Sequence, residues 1–82
     1  MSKNAPAPAL PPNAPTAGGV YRHYKGDSYR VVGLALHSDD TWNVVYEALY
    51  DGAVSKLFSR PVSEWRQMVE WEGRQVRRFV KI

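Results

Sequence analysis

The sequence predicts a small, mostly β domain over residues 20–82, preceded by a Pro/Ala-rich leader over residues 1–19. Three observations carry this. Past Gly19 the chain consists of short runs rich in β-branched and aromatic side chains, which suit a pleated, half-buried surface. Those runs are separated by turn signals at Gly26-Asp27, Asp39-Asp40, Asp51-Gly52 and Glu72-Gly73. No stretch of helix length shows apolar residues at a 3.6-residue period, so a helical bundle is disfavoured.

The leader holds five of the six prolines (Pro6, Pro8, Pro11, Pro12, Pro15) and one large apolar residue, Leu10. Such a stretch has little to bury, and it is expected to be disordered or polyproline-like up to Gly18-Gly19. Strict P-x-x-P spacing occurs at Pro8 to Pro11 and at Pro12 to Pro15, the pattern of a ligand for an aromatic groove; a dispensable tail is the preferred reading.

A first strand is expected from Val20 to Lys25, and a second from Ser28 to His37 after the Gly26-Asp27 turn. The third runs from Trp42 to Tyr50, with a short fourth from Lys56 to Ser59. Residue 60 is held extended by Pro61, and residues 61–65 then offer a proline start and one helical turn anchored by Trp65. A last hairpin pairs residues 67–71 with residues 74–81 around Glu72-Gly73. Five to six short strands with one helical turn predict a small barrel of the SH3-like kind.

If Asp39 and Asp40 form a two-residue turn, the central hairpin pairs His37 with Trp42, Ala35 with Val44, Gly33 with Tyr46, Val31 with Ala48 and Tyr29 with Tyr50. Tyr46 then lies over bare backbone at Gly33. The opposite side is half apolar, as expected where a strongly curved strand passes from inside to outside at a bulge.

The net charge is +3; with Lys3 in the leader, ten basic residues face eight acidic ones in the domain. That is a weak excess for a nucleic-acid binder. There is no cysteine, which removes disulfides and thiolate metal sites and points to a reducing, cytoplasmic setting. No run approaches the ~18 apolar residues of a membrane span.

The run Tyr21-Arg22-His23-Tyr24-Lys25-Gly26, then Tyr29, Val31, Gly33, Ala35 and His37-Ser38, then Val44-Val45-Tyr46 with Leu49-Tyr50, and finally Arg60-Pro61, Val69, Gly73 and Arg78-Phe79, resembles a family of small bacterial proteins known as domain of unknown function 1653. The resemblance spans residues 19–82 and implies an SH3-like barrel and no known reaction. The sequence departs from the family's habit at Leu36, at Asp39-Asp40 and at Phe58-Ser59.

Candidate binding residues are Tyr21, Arg22, His23, Tyr24, Lys25, His37, Trp42, Tyr46 and Arg60, an interleaving of aromatic and cationic side chains such as small barrels use to hold anions or bases. Core packing is preferred for Tyr46, with its hydroxyl at the rim. The first functional reading is a non-catalytic module presenting this surface to a small anionic ligand or an acidic protein segment. The second is single-stranded nucleic-acid binding. A third, an enzyme using His37 as general base beside Ser38, is disfavoured because strand neighbours point to opposite faces; a turn role for Ser38, Asp39 and Thr41, with His37 stacked on Trp42, is preferred. No cofactor is expected, and His23 and His37, the two imidazoles, lack a metal-ligand spacing. Arg74 with Arg78, and Arg77 with Lys81, fall on opposite sides of a continuous strand and are assigned to solvent, with Arg78 opposite Glu70 or Glu72. A monomer or a weak homodimer is expected, the dimer through an open strand edge at residues 20–25.

Overall fold

The structure, a computed structural model, describes residues 8–82. Seven strands, all paired antiparallel, and one short helix follow in the order β1 (Val20–His23), β2 (Ser28–Leu36), β3 (Trp42–Ala48), β4 (Leu57–Pro61), α1 (Val62–Trp65), β5 (Met68–Trp71), β6 (Arg74–Arg77) and β7 (Phe79–Lys81). They form a five-stranded sheet of order β4-β3-β2-β1-β7 and a separate β5-β6 ribbon. Among the described residues no ladder joins β4 to β7, so the sheet is not closed into a hydrogen-bonded barrel. No helix of the described residues is long and apolar enough to cross a membrane.

The central hairpin forms, but in a different register from the one the Asp39-Asp40 turn implied. His37 donates its backbone N–H to Thr41 O at 2.8 Å, leaving a three-residue loop in which only Asp40 has positive φ, 67°. A two-residue type I′ loop would demand positive φ at two residues; the longer loop needs it at one. Leu36 therefore faces Trp42, and Leu34 faces Val44. The ladder slips again between Val31 and Gly33, so that Val31 faces Tyr46 and Tyr29 faces Ala48. Val32 is the extra residue of this bulge and is half exposed. The bulge carries the inward side of β2 from Tyr29 and Val31 to Leu34 and Leu36, which answers the expected change of face. Gly33 does not lie under the Tyr46 ring: a Cβ built there meets nothing within 4 Å.

Two further expectations are corrected. β1 is hydrogen-bonded on both sides, to β2 and to β7, so it offers no edge to a second copy. The run from Arg74 to Lys81 is not one strand: β6 pairs with β5 and β7 pairs with β1. The chain changes sheets at Arg78, whose N–H still donates to Gln67 O at 3.1 Å. The Glu72-Gly73 turn forms as expected, with φ of 52° and 77°, the positive pair a type I′ turn requires.

The core is Val31, Val44, Tyr46, Val62, Trp65 and Phe79. Helix α1 follows directly on Pro61, which flanks its N-terminus where the proline signal implied a start, and turns Val62 and Trp65 inward. Its short length leaves burial of those two side chains as the main source of its stability. From Pro8 onward the leader lies against the domain. Pro15 is buried, Ala14 packs on the core, and Gly18 N–H donates to Val31 O at 2.8 Å. The leader's residues 1–7 lie outside the described residues.

Candidate functional site

Alternation along β1 turns Tyr21 and His23 inward and leaves Arg22 exposed opposite Val80. The His23 ring meets Phe79 edge-on at 5.1 Å. Beyond it the chain turns at Gly26, φ 114°, and folds the Tyr24 ring back to 4.4 Å from His23 and 5.1 Å from Trp71. The Lys25 ammonium sits 5.8 Å from the Tyr24 ring centre. Arg60, at the end of β4, donates from Nε to the Tyr46 hydroxyl at 3.4 Å and from Nη1 to Glu64 Oε1 at 3.5 Å. Arg78 donates from Nε to Glu64 O at 3.0 Å and from Nη2 to Gln67 Oε1 at 3.1 Å. Its partners are these, and not Glu70 or Glu72.

His23 thus sits half-buried with cations about it. Burial, and after it the charges of Arg60, Arg78 and Lys25, pull its pKa below the ordinary imidazole value, with Asp27 opposing. Its Nδ1 accepts the Lys25 backbone N–H at 3.2 Å, so in the neutral ring the proton is on Nε2. The unfolded chain therefore takes up a proton near pH 6.5 that the folded chain resists, and stability falls as pH drops from about 6.5 toward the lowered value. Melting temperature is expected to fall between pH 7.5 and 5.5 and to fall less in His23→Gln; parallel curves for the two chains would contradict this.

Tyr21 leads elsewhere. Its ring stands edge-on to Trp65 at 5.3 Å, and Trp65 stacks on Phe79 at 3.7 Å and 7°. These three rings floor a cleft of about 500 Å³ rimmed by Arg66, Arg77 and Lys81, with Asn13 and Pro15 of the leader on one side. Its volume falls in the range of small-molecule sites, about 300–1,000 Å³. Lys81 pairs with Tyr21 across the β1-β7 ladder, Arg77 is the last residue of β6, and Arg66 follows α1. No carboxylate is among the described residues lining the cleft.

The nine candidate residues are therefore not one surface. His23, Tyr24, Lys25, Tyr46 and Arg60 come together; Tyr21 belongs to the cleft and Arg22 to the outer face. Tyr46 is buried beneath Arg60. His37 and Trp42 lie at the far end of the β2-β3 hairpin. His37 is exposed; its Nδ1 accepts the Asp39 N–H at 3.2 Å and lies 3.0 Å from Asp39 Oδ1. The Asp39 carboxylate accepts the Thr41 hydroxyl and its N–H, and these bonds, with the nearby His37, hold its pKa low. Asp39 and Thr41 thus hold the turn, as expected. Trp42 donates its indole N–H to Pro8 O at 3.1 Å. Among the described residues no three His, Cys, Asp or Glu side chains group as metal ligands do.

Sequence reasoning passed over Trp65, Arg66, Arg77 and Lys81 as cleft residues. Nothing between Arg74 and Lys81 has turn chemistry, so no local signal marks the change of sheets that separates Arg77 from Lys81.

A small all-β domain with one cation-rimmed, aromatic-floored cleft is the class these features define. The chain belongs to the family described as protein of unknown function (DUF1653), whose model matches residues 19–81. It is similar to a solved structure, the crystal structure of a protein of that family from Bordetella bronchiseptica, with 38% sequence identity and a TM-score of 0.73, covering 79% of this chain and 85% of that one. No curated protein matches.

Proposed function

We propose that this protein is a non-catalytic binding module that takes a small anionic ligand, or the acidic side chains of a protein segment, in the cleft between α1, β6 and β7. The observation that carries this reading is the set of three cations, Arg66, Arg77 and Lys81, over the rings of Tyr21, Trp65 and Phe79, with no carboxylate among the described residues of the lining. Charge-assisted bonds to such a rim contribute about 1.5–3 kcal/mol each. Nucleic acid is the weaker reading, because Trp65 and Phe79 are covered by each other and by Tyr46 and offer no open face on which a base could stack. The strand order β4-β3-β2-β1-β7, with one helical turn after β4, supports an SH3-like arrangement carrying an inserted β5-β6 hairpin.

Calorimetric titration with inorganic pyrophosphate, adenosine monophosphate, a hexaglutamate peptide and an oligothymidylate, each at two salt concentrations, tests this. At least one of the first three is expected to bind, and Arg77→Ala or Lys81→Ala to weaken it about tenfold with little change in melting temperature, since both side chains are exposed. Affinity unchanged in both variants, or binding of the oligothymidylate alone, would overturn the assignment.

A further inference from the structure

The leader is seated on the domain by a particular set of donors. Trp42 Nε1 donates to Pro8 O at 3.1 Å, and Arg66 Nη1 donates to Pro12 O at 2.9 Å. Between those carbonyls runs Pro8-Ala9-Leu10-Pro11, one of the two P-x-x-P matches, which is neither helix nor strand. Pro11 lines a hollow of about 430 Å³ whose apolar part is Trp42, Pro61 and Val62. Leu10, the one large apolar side chain of the segment, is 60% exposed, and Pro8 and Pro12 are exposed as well, so the seat takes up the two carbonyls and the half-buried Pro11 and leaves the greasiest residue in water.

That is the chemistry of proline-rich recognition. An extended polyproline segment has no internal hydrogen bonds, so its carbonyls are free to accept, and its rings lie against aromatic and apolar surface at little entropic cost. Indole N–H and guanidinium groups donate without accepting, which suits a ligand whose prolines have no N–H to give. We infer that the hollow between Trp42, Pro61, Val62 and Arg66 is a binding groove for the proline-rich segment of another polypeptide, and that residues 8–12 lie across it in cis, occupying its Trp42 and Arg66 donors with Pro11 as one wall. The tether makes the leader a competitor at an effective concentration on the order of millimolar, so a weak ligand in trans meets donors that are already engaged. The anchor of the tether is Pro15, which is buried, and Gly18, whose N–H pairs with Val31.

The test uses the full chain and a capped synthetic peptide of residues 8–15, followed through the indole N–H resonance of Trp42. Pro8→Ser with Pro11→Ser is expected to free the groove, so that the peptide binds about tenfold more tightly than to the unaltered chain and shifts the Trp42 signal. Adding Trp42→Phe, which keeps a ring and removes the donor, is expected to abolish that gain. Melting temperature is the second readout, and the serine variant is expected to hold it within a few degrees. Equal affinity in the two proline backgrounds, no shift at Trp42, no binding to either chain, or an unfolded serine variant would each overturn the inference; the last would make the leader a structural arm.

Discussion

Trp65→Ala is expected to leave the chain unfolded, or nearly so, at room temperature. Trp65 is 3% exposed and is the one residue that touches all the rings of the inner cluster's far side: Phe79 stacked at 3.7 Å, Tyr46 at 5.0 Å and Tyr21 at 5.3 Å. Truncating a buried tryptophan to alanine costs about 3–5 kcal/mol. A domain of this size has roughly 3–9 kcal/mol in total at 0.05–0.15 kcal/mol per residue, so one substitution removes most of it. Helix α1 goes as well, because four residues have no helical stability apart from what they bury. Urea unfolding followed by circular dichroism checks this, with Trp65→Phe expected to fall between the two. A Trp65→Ala midpoint close to the unaltered chain's would mean that the stack on Phe79 contributes little.

Tyr46 gives the second large effect, and its value lies in a contrast. Tyr46 is 4% exposed and its ring meets Tyr29, Phe58, Trp65 and Phe79 at centroid distances of 5.0 to 5.7 Å. Tyr46→Ala is expected to cost about 3–5 kcal/mol, by the same cavity argument. Tyr46→Phe deletes only the bond from Arg60 Nε at 3.4 Å, for which about 0.5–1.5 kcal/mol is expected. Ligand affinity at the cleft is expected to be the same in Tyr46→Phe as in the unaltered chain. A phenylalanine variant as unstable as the alanine variant would place the weight on the hydroxyl instead of the ring.

The elements were legible because each is written locally. Turn residues at Gly26, Asp40 and Glu72-Gly73 take the positive φ that ends their strands, and Pro61 sets the start of α1. Three things were not legible. The register of the central hairpin depends on which aspartate turns left-handed and on a bulge at Val32, which the neighbouring Gly33 makes plausible without fixing the residue that is left out of the ladder. The break at Arg78 is imposed by β1, which recruits Phe79–Lys81 over a long sequence separation. The candidate surface was drawn along one strand and so mixed side chains of opposite faces: Tyr21 and His23 go inward to different neighbours, Arg22 goes outward, and the cleft's cations come from three elements that only the tertiary structure brings together. Pro-rich composition, for its part, says that the leader has little to bury and nothing of the Trp42 and Arg66 donors that hold its described part against the domain.

The supernumerary residue in β2 shifts which residue numbers face inward without disturbing the order of the rungs. Upstream of position 32 the odd-numbered side chains enter the interior, and downstream the even-numbered ones do. Replacing Val32 alters a half-wet side chain, and deleting it would leave Val31 facing Tyr46, Gly33 facing Val45 and Leu34 facing Val44 in an uninterrupted ladder, so that every inward residue keeps its side and only the local kink and added twist are lost. What the extra residue supplies there is a bend, and its loss would be read in the curvature of the sheet and not in which side chains are buried.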